Sequence, residues 1–198
     1  MSATETPAAS ADSSAVRLDS CTLDIVEVAA LRGRVRDIES IARQRGGLEL
    51  PALGWFAGAG DSLAICVRPC RWLLLSSAAS PGACVAGWQS ATSGVGASVD
   101  LSSALTACHL SGDATREVLS RGCRLDLDPD VFLVGHAAAT IMALVSVILV
   151  RLASGMLLLT PSSTARHVRE WLASTARPFG LAAPAEIPFA SLCGEPKR

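Results

Sequence analysis

The sequence predicts an α+β protein in which antiparallel sheets carry helices packed on one face. Short segments rich in β-branched and apolar residues alternate with amphipathic segments of helical period. Their order is strand, helix, two strands and helix, followed by strand, helix, three strands and helix. We therefore expect two ferredoxin-like βαβ lobes, although no exact sequence repeat links the two sets.

The chain is predicted to divide into one domain and two tails. The chain has 198 residues, of which 50% are hydrophobic and 18% charged, which is enough apolar material for a sizeable core. We expect a disordered tail over 1–19, because this stretch is small and polar. An α+β domain is expected over 20–181, and a Pro-rich, extended tail over 182–198.

The first half is predicted to contain a strand, two helices and a hairpin. Residues 34–45 have apolar positions three or four apart, which predicts an amphipathic helix that ends at Gly46-Gly47. Residues 48–60 are expected to form a loop. The other predicted elements are a strand over 23–31, strands over 63–67 and 72–75 joined by a turn at 68–69, a helix over 81–91 and a linker over 93–96.

The second half is predicted to run from one long strand to a final helix. A single strand is expected over 99–110, followed by a helix over 114–120 that ends at Arg121-Gly122. Strands are expected between 136 and 160. Residues 161–163 are expected to open the last helix, which continues to about 176 and ends before Pro178.

The apolar run 137–150 predicts buried strands rather than a membrane helix. It contains 14 residues, while a spanning helix needs about 20. Its β-branched residues favour one or two strands, with a turn at 153–155 before the next strand. A membrane-anchored accessory protein built on this run remains a less favoured alternative.

Charge and cysteine usage exclude several function classes. The net charge of −1 offers no basic excess for nucleic-acid binding. The seven cysteines are odd in number and irregularly spaced, and the first 15 residues lack a secretory pattern. We therefore expect reduced thiols and a cytoplasmic location. Cys66 and Cys70 have no second ligand pair at zinc spacing, so no metal site is predicted.

Three alternating aspartates, Asp126, Asp128 and Asp130, invite a calcium or acid–base interpretation. An EF-hand loop that began at Asp126 would need glycine at Val131 and a bidentate glutamate at Ala137, so the pattern fails twice. The Asp128-Pro129 pair favours a turn instead. We expect these residues to shape the connection between a helix and a buried strand.

No catalytic constellation is evident among the remaining candidates. His109 and Cys108 are neighbours on a predicted strand and should face opposite sides. His136 is expected at a strand entrance, and His167 on a solvated helix face. The glycine-rich stretches 54–60 and 94–96 match neither phosphate-binding pattern. We predict no catalytic residue, and the pattern leaves cofactor-binding residues unknown.

Two stretches between about 99 and 181 carry a family resemblance. Asp100-Leu-Ser102, followed by Leu110-Ser-Gly112-Asp-Ala114, resembles the glycine-cleavage T-protein superfamily. A longer pattern resembles the gamma subunit of heterotetrameric sarcosine oxidase. It comprises 118–127 (VLSRGCRLDL), Phe132, Gly135, Thr140, Leu149, Arg151, Glu170-Trp171-Leu172 and Phe179-Gly180.

The resemblance implies a T-protein-like fold and a non-catalytic role in assembly. The gamma subunit would work with alpha, beta and delta subunits in a complex that oxidatively demethylates sarcosine to glycine, with tetrahydrofolate as the one-carbon acceptor. In the family, FAD, FMN and NAD belong to the larger chains and zinc to the delta chain. The gamma chain has no catalytic residue to carry over, so this chain alone is expected to bind no cofactor.

The sequence departs from the family pattern at one place, and the broader likeness leaves two alternatives open. Pro161-Ser162-Ser163 stands where members commonly have an Arg-Ser pair, which puts one partner contact in doubt. The alternatives are a stand-alone folate-binding or aminomethyltransferase-like protein and a subunit of a related N-methyl amino acid dehydrogenase. If the chain is a subunit, its candidate interface anchors are Trp55, Phe56, Trp88 and Trp171. A place in the core is at least as well supported for each, and better supported for Trp171, which lies on the apolar face of its helix.

Overall fold

The computed structural model describes residues 16–77 and 83–193. Its strands are β1 (Arg17–Ala30), β2 (Trp55–Ala59), β3 (Ser62–Arg68), β4 (Arg71–Ser77), β5 (Gly96–Asp100), β6 (Leu105–Ser111), β7 (Ala137–Met142), β8 (Val145–Leu152), β9 (Gly155–Pro161) and β10 (Glu186–Pro188). Its helices are α1 (Val35–Gly46), α2 (Ala83–Ala91), α3 (Thr115–Ser120), α4 (Ala165–Ala176) and α5 (Ala190–Cys193), and a 3-10 turn spans Arg177–Phe179.

The two halves of the chain share one topology. Each half contains the series strand, helix, three strands and helix: β1-α1-β2-β3-β4-α2 in the first and β6-α3-β7-β8-β9-α4 in the second. The short elements β5, β10, α5 and the 3-10 turn are additional to this series. The spatial order is β1-β4-β3-β2 in the first half and β6-β9-β8-β7 in the second, and every pairing along these paths is antiparallel. This arrangement confirms the predicted α+β class with antiparallel sheets and two like lobes.

The strand β1 joins the two halves. Its N-terminal part pairs with β6 on one side and β10 on the other. Its C-terminal part pairs with β4 and β5. One 14-residue strand therefore belongs to both sheets, so the halves are continuous through backbone hydrogen bonds.

A seam between β2 and the entrance to β7 joins the far ends of the strand path. Trp55 and His136 form an antiparallel bridge. The Phe56 amide donates to the Gly135 carbonyl at 2.9 Å, and the Ala137 amide donates to the Gly54 carbonyl at 2.8 Å. The eight-stranded path is thereby nearly a barrel.

Along the strands, alternate side chains pack into different hydrophobic cores. In β3, Leu63 and Ile65 face a central core between the two sheets, whereas Ala64 and Cys66 face a core beneath α1 and α2. The second half repeats the alternation, since Leu157 and Leu159 of β9 face the central core and their neighbours face a core beneath α3 and α4. Burial on both faces explains why these strands read as continuous apolar runs.

The helices form close to the predicted positions. Ile38 and Ala42 of α1 are buried, and the helix ends at Gly47, whose φ of 63° is the left-handed conformation that a glycine C-cap supplies. Helix α4 buries Val168 and Leu172 as expected, and Arg166 pairs with Glu170 at 2.8 Å. For α2, the predicted first residues 81 and 82 lie outside the described residues.

Two sequence expectations about strands were wrong. The segment 48–60 contains β2, which the predicted loop missed because flanking glycines hid a short edge strand. The single strand expected over 99–110 is two strands, β5 and β6, separated by a turn. The Asp100 carboxylate accepts the Ser102 amide at 2.9 Å, and this local bond breaks the strand.

The apolar run 137–150 forms the hairpin β7–β8, and β9 follows after a turn at 153–154. This confirms strands rather than a helix over the run. The buried residues are Ala137 and Met142 of β7 and Val147, Leu149, Val150 and Leu152 of β8. In the described part of the chain, no helix has the length and hydropathy to cross a membrane.

Where the structure describes the two predicted tails, parts of them belong to the folded domain. Residues 1–15 lie outside the described residues, but 17–19 belong to β1. At the other end, β10 pairs in parallel with β1, and Phe189, Leu192 and Cys193 are buried in the central core. The prolines suggested an extended tail, but Ile187, Phe189, Leu192 and Cys193 pack in or against the central core.

Truncation of Phe189 to alanine should destabilise the protein by about 3–5 kcal/mol, because its ring is 1% exposed and leaves a cavity in the central core. Urea denaturation of the isolated chain measures the change. Leu31→Ala is the control, because Leu31 is 51% exposed and its truncation should cost less than about 1 kcal/mol. Equal, small losses in both variants would show that the C-terminal segment is not part of the core.

Candidate subunit interface

The three aspartates build a turn. The Asp126 carboxylate accepts the Asp128 amide, and the Asp128 carboxylate accepts the Asp130 amide, each at 2.9 Å. The side chains of Asp126 and Asp128 thus satisfy backbone groups locally, as expected of aspartates in turns. Leu127, between these two aspartates, and Phe132, after the third, are buried in the α3/α4 core, so the segment wraps the end of that core.

The three histidines lie apart and have different surroundings. His109 is buried on β6, where its Nε2 atom lies 3.3 Å from the Ser154 hydroxyl in the β8–β9 turn. The Nδ1 atom of His136 accepts the Leu133 amide at 3.3 Å. The Nε2 atom of His167 lies 3.2 Å from the Ala143 carbonyl. Each ring therefore contacts a turn or loop of the fold.

Burial keeps several thiols protonated. Burial raises the pKa of the Cys108 thiol to about 12, and it raises the pKa of Cys193 to about 12 and that of Cys21 to about 11. A thiolate is the nucleophilic and metal-binding form of cysteine, so these three are poorly suited to either role. Cys66 is also buried, and its thiol donates to the Arg68 carbonyl at 3.3 Å.

Over residues 16–77 and 83–193, no group of three metal-binding side chains comes together. An open cleft of about 480 Å³ lies between the start of α3 and the β8–β9 turn, lined in part by Thr115, Arg116, Arg151 and Ser154. The Thr115 hydroxyl is buried and finds no hydrogen-bond partner among the described residues. The lining of this cleft is more polar than apolar, unlike the predominantly apolar lining typical of a cofactor site.

The seam carries a group of exposed apolar side chains, which we call the seam patch. Its members flank the Trp55–His136 bridge on two chain segments, and each is 43–55% exposed: Leu53, Trp55, Val131, Leu133 and Val134. Neither 50–60 nor 131–150 contains Asp, Glu, Lys or Arg. An exposed apolar group without charges is typical of a protein-binding surface.

The geometry of the seam fixes this surface. The Trp55 ring meets the His136 ring edge-on with centroids 4.3 Å apart. Gly135 has a φ of 103°, and a Cβ there would lie 3.3 Å from the Trp55 ring. Glycine therefore allows both the turn and the close approach of the indole. The patch is held by backbone pairing and ring packing.

Of the four aromatic anchors predicted from the sequence, Trp55 alone is exposed. Trp88 is 8% exposed in the α1/α2 core, with Arg45 over its ring. Phe56 packs against the central core, and Trp171 packs against the α3/α4 core over Gly122. Sequence reasoning missed the rest of the patch, although the uncharged segment 131–136 outside any strand was a usable signal.

Solved structures share this fold. One chain of the heterotetrameric sarcosine oxidase from Corynebacterium sp. U-96, in complex with pyrrole 2-carboxylate, has a TM-score of 0.75 and 26% identity. The match covers 87% of this chain and 89% of that chain. The glycine cleavage system aminomethyltransferase T from Bartonella henselae has a TM-score of 0.61 at 14% identity, over 83% of this chain and 47% of that one.

The doubled α+β fold thus places the chain in the fold class that these two structures share. A profile of the sarcosine oxidase gamma subunit family matches residues 35–176. The chain belongs to the sarcosine oxidase gamma subunit family. A search of curated proteins found no match.

Family-pattern residues occupy tight places in the fold. Gly122 lies under the Trp171 ring, where a Cβ would collide with the indole. Gly135 and the backbone of Arg151 meet at the seam, since the Gly135 amide donates to the Arg151 carbonyl at 3.0 Å. At the departure from the family pattern, the Ser162 hydroxyl donates to the Ser103 carbonyl at 2.8 Å. Ser162 thus ties the start of the α4 connection to the β5–β6 turn.

Stability should fall as pH rises from about 9 towards 12. The pKa of Cys108 is raised from an ordinary value of 9.0 to about 12, so the folded state keeps a proton that the unfolded state loses in this window. Each such thiol contributes a slope of up to about 1.4 kcal/mol per pH unit. Urea denaturation across the range measures the slope, which Cys108→Ala should reduce.

The control for this prediction is Leu110→Ala, because Leu110 is a buried residue of the same strand and has no titratable group. Its slope should equal that of the unsubstituted chain. A slope that Cys108→Ala leaves unchanged would contradict the assignment of a buried, protonated thiol.

Proposed function

We propose that this chain is a non-catalytic subunit of a sarcosine oxidase and supports assembly of the complex. Family membership and the likeness to a chain of a heterotetrameric sarcosine oxidase are the observations that carry the proposal. The three histidines contact turns or loops of the fold, Asp126 and Asp128 accept backbone amides, and burial keeps three thiols protonated. These contacts support a structural role. The reaction is the oxidative demethylation of sarcosine to glycine with tetrahydrofolate as acceptor, and its reactive groups would lie on partner chains.

The partners in this proposal are alpha, beta and delta subunits. They would hold the FAD, FMN, NAD and zinc of the complex and present the tetrahydrofolate site. The seam patch supports contact with one of them, because burying five half-exposed apolar side chains is favourable at about 25 cal/mol per Å². Its central Trp55 has the rigid, amphipathic character typical of an interface anchor.

A stand-alone folate-binding or aminomethyltransferase-like protein is the less favoured function. The likeness to aminomethyltransferase T is at 14% identity and covers 47% of that chain, so it supports the fold alone. Isothermal titration of the isolated chain with tetrahydrofolate would reveal such an activity as a saturable heat.

Co-expression with alpha, beta and delta chains of a sarcosine oxidase from the same source tests the proposal. We expect the four chains to co-purify and to oxidise sarcosine, while omission of this chain lowers the yield of the assembled complex. The isolated chain should not oxidise sarcosine and should not bind flavin. A complex that assembles and turns over equally well without this chain would overturn the proposal.

Placing a charge on the seam patch should weaken assembly by at least tenfold in Kd. Val134→Asp forces a carboxylate into an apolar contact, where it would be desolvated without a partner. Val99→Asp is the matched control, since Val99 and Val134 are each 51% exposed and Val99 lies on β5, away from the seam. Surface plasmon resonance against the partner chains measures both. Equal affinities for the two variants would contradict a contact at the seam.

A further inference from the structure

The β7–β8 hairpin ends in a turn of unusual composition. Met142 pairs with Val145, so Ala143 and Leu144 form a two-residue loop. Their φ angles are 48° and 66°, both left-handed. A two-residue hairpin loop of this kind strongly prefers Asn-Gly, because asparagine and glycine tolerate positive φ whereas most other residues are strained there. A bulky residue at positive φ is a genuine outlier.

In the described part of the chain, no burial compensates for leucine at position 144. Leu144 is 91% exposed, so its side chain gains almost no burial. The turn is held by backbone groups instead: the Ala143 amide donates to the Gly122 carbonyl at 3.2 Å, and His167 Nε2 lies 3.2 Å from the Ala143 carbonyl. Asparagine and glycine could make the same backbone bonds. Among the described residues, no contact of the Leu144 side chain therefore offsets the strain of its backbone.

A rigid base supports the exposed side chain. Cys123 and Met142 form an isolated antiparallel β-bridge, and the Arg124 amide donates to the Ile141 carbonyl at 3.1 Å. The segment after α3 therefore holds the end of β7 in place. Such bracing lowers the entropy lost when the tip is buried in a contact. Arg124 is exposed, and in the described part of the chain it forms no salt bridge.

We propose that Leu144 is an anchor that inserts into an apolar pocket on another subunit of the oxidase. The inference rests on the proposed function and adds a contact separate from the seam patch. The partner pocket should be lined by apolar side chains and carry a carboxylate at its rim, opposite Arg124. Strain kept at an exposed leucine is then compensated by burial in the complex.

The double variant Ala143→Asn/Leu144→Gly separates folding from assembly. The isolated variant should be more stable, with a Tm raised by roughly 2–4 °C, because an Asn-Gly turn relieves the backbone. Its affinity for the partner chains should fall by about tenfold or more, because the anchor is lost. Differential scanning calorimetry and surface plasmon resonance measure the two effects.

Three further variants make the test specific. Leu144→Asn should also weaken binding, whereas Leu144→Met should retain it because an apolar side chain remains. Cys70→Gly is the control for turn strain, since Cys70 has a φ of 58° in the β3–β4 turn, and it should leave affinity unchanged. If Leu144→Asn and the unsubstituted chain bind the partners equally, the anchor is overturned.

The outcome for the unsubstituted chain distinguishes the two proposals. Failure of that chain to bind any partner would overturn the proposed function itself. Binding that no Leu144 variant weakens would overturn the anchor alone. Light scattering of the isolated chain provides the remaining check: a dimer that Leu144→Asn dissociates would assign the leucine to a contact between copies and overturn the proposed partner.

Discussion

The pairing of β1 with four other strands is the constraint on which the rest of the structure depends. Even-numbered residues contribute Leu18 to the α3/α4 core and Val26 and Val28 to the α1/α2 core. Odd-numbered residues contribute Cys21, Leu23 and Ile25 to the central core. A single strand thus supplies all three cores. The pleat of the chain, with its period of two, makes this possible.

Much of the fold could be predicted because periodicity is local. Helices α1 and α4 followed from apolar positions three or four apart, and the run 137–150 gave two strands because β-branched residues favour them. The aspartate turn also followed from local chemistry. Strands buried on both faces lose their alternation, which is why the same run could be taken for a membrane segment.

Long-range pairings could not be predicted in the same way. Strand β2 has one glycine inside it, a glycine on either side and a half-exposed tryptophan, and it is a strand because β3 and His136 pair with it. Strand β10 pairs with β1 because Phe189, which follows it, packs in the central core. The seam patch brings together segments about 80 residues apart, a juxtaposition that no local pattern contains. The family resemblance in the sequence rested on sparse residues such as Gly122 and Gly135, and each of these two lies against an indole ring in the fold.

In this account the chain acts as one rigid body that presents apolar surface to its partners. That rigidity requires that the two halves, joined by β1, unfold together as one cooperative unit. Native-state hydrogen exchange of the isolated chain tests this requirement most directly. Hydrogen-bonded amides of β1 at 17–21 and 23–30 should exchange with one common free energy, equal to that of global unfolding. Separate free energies for the two stretches, with one half opening while the other stays protected, would contradict it.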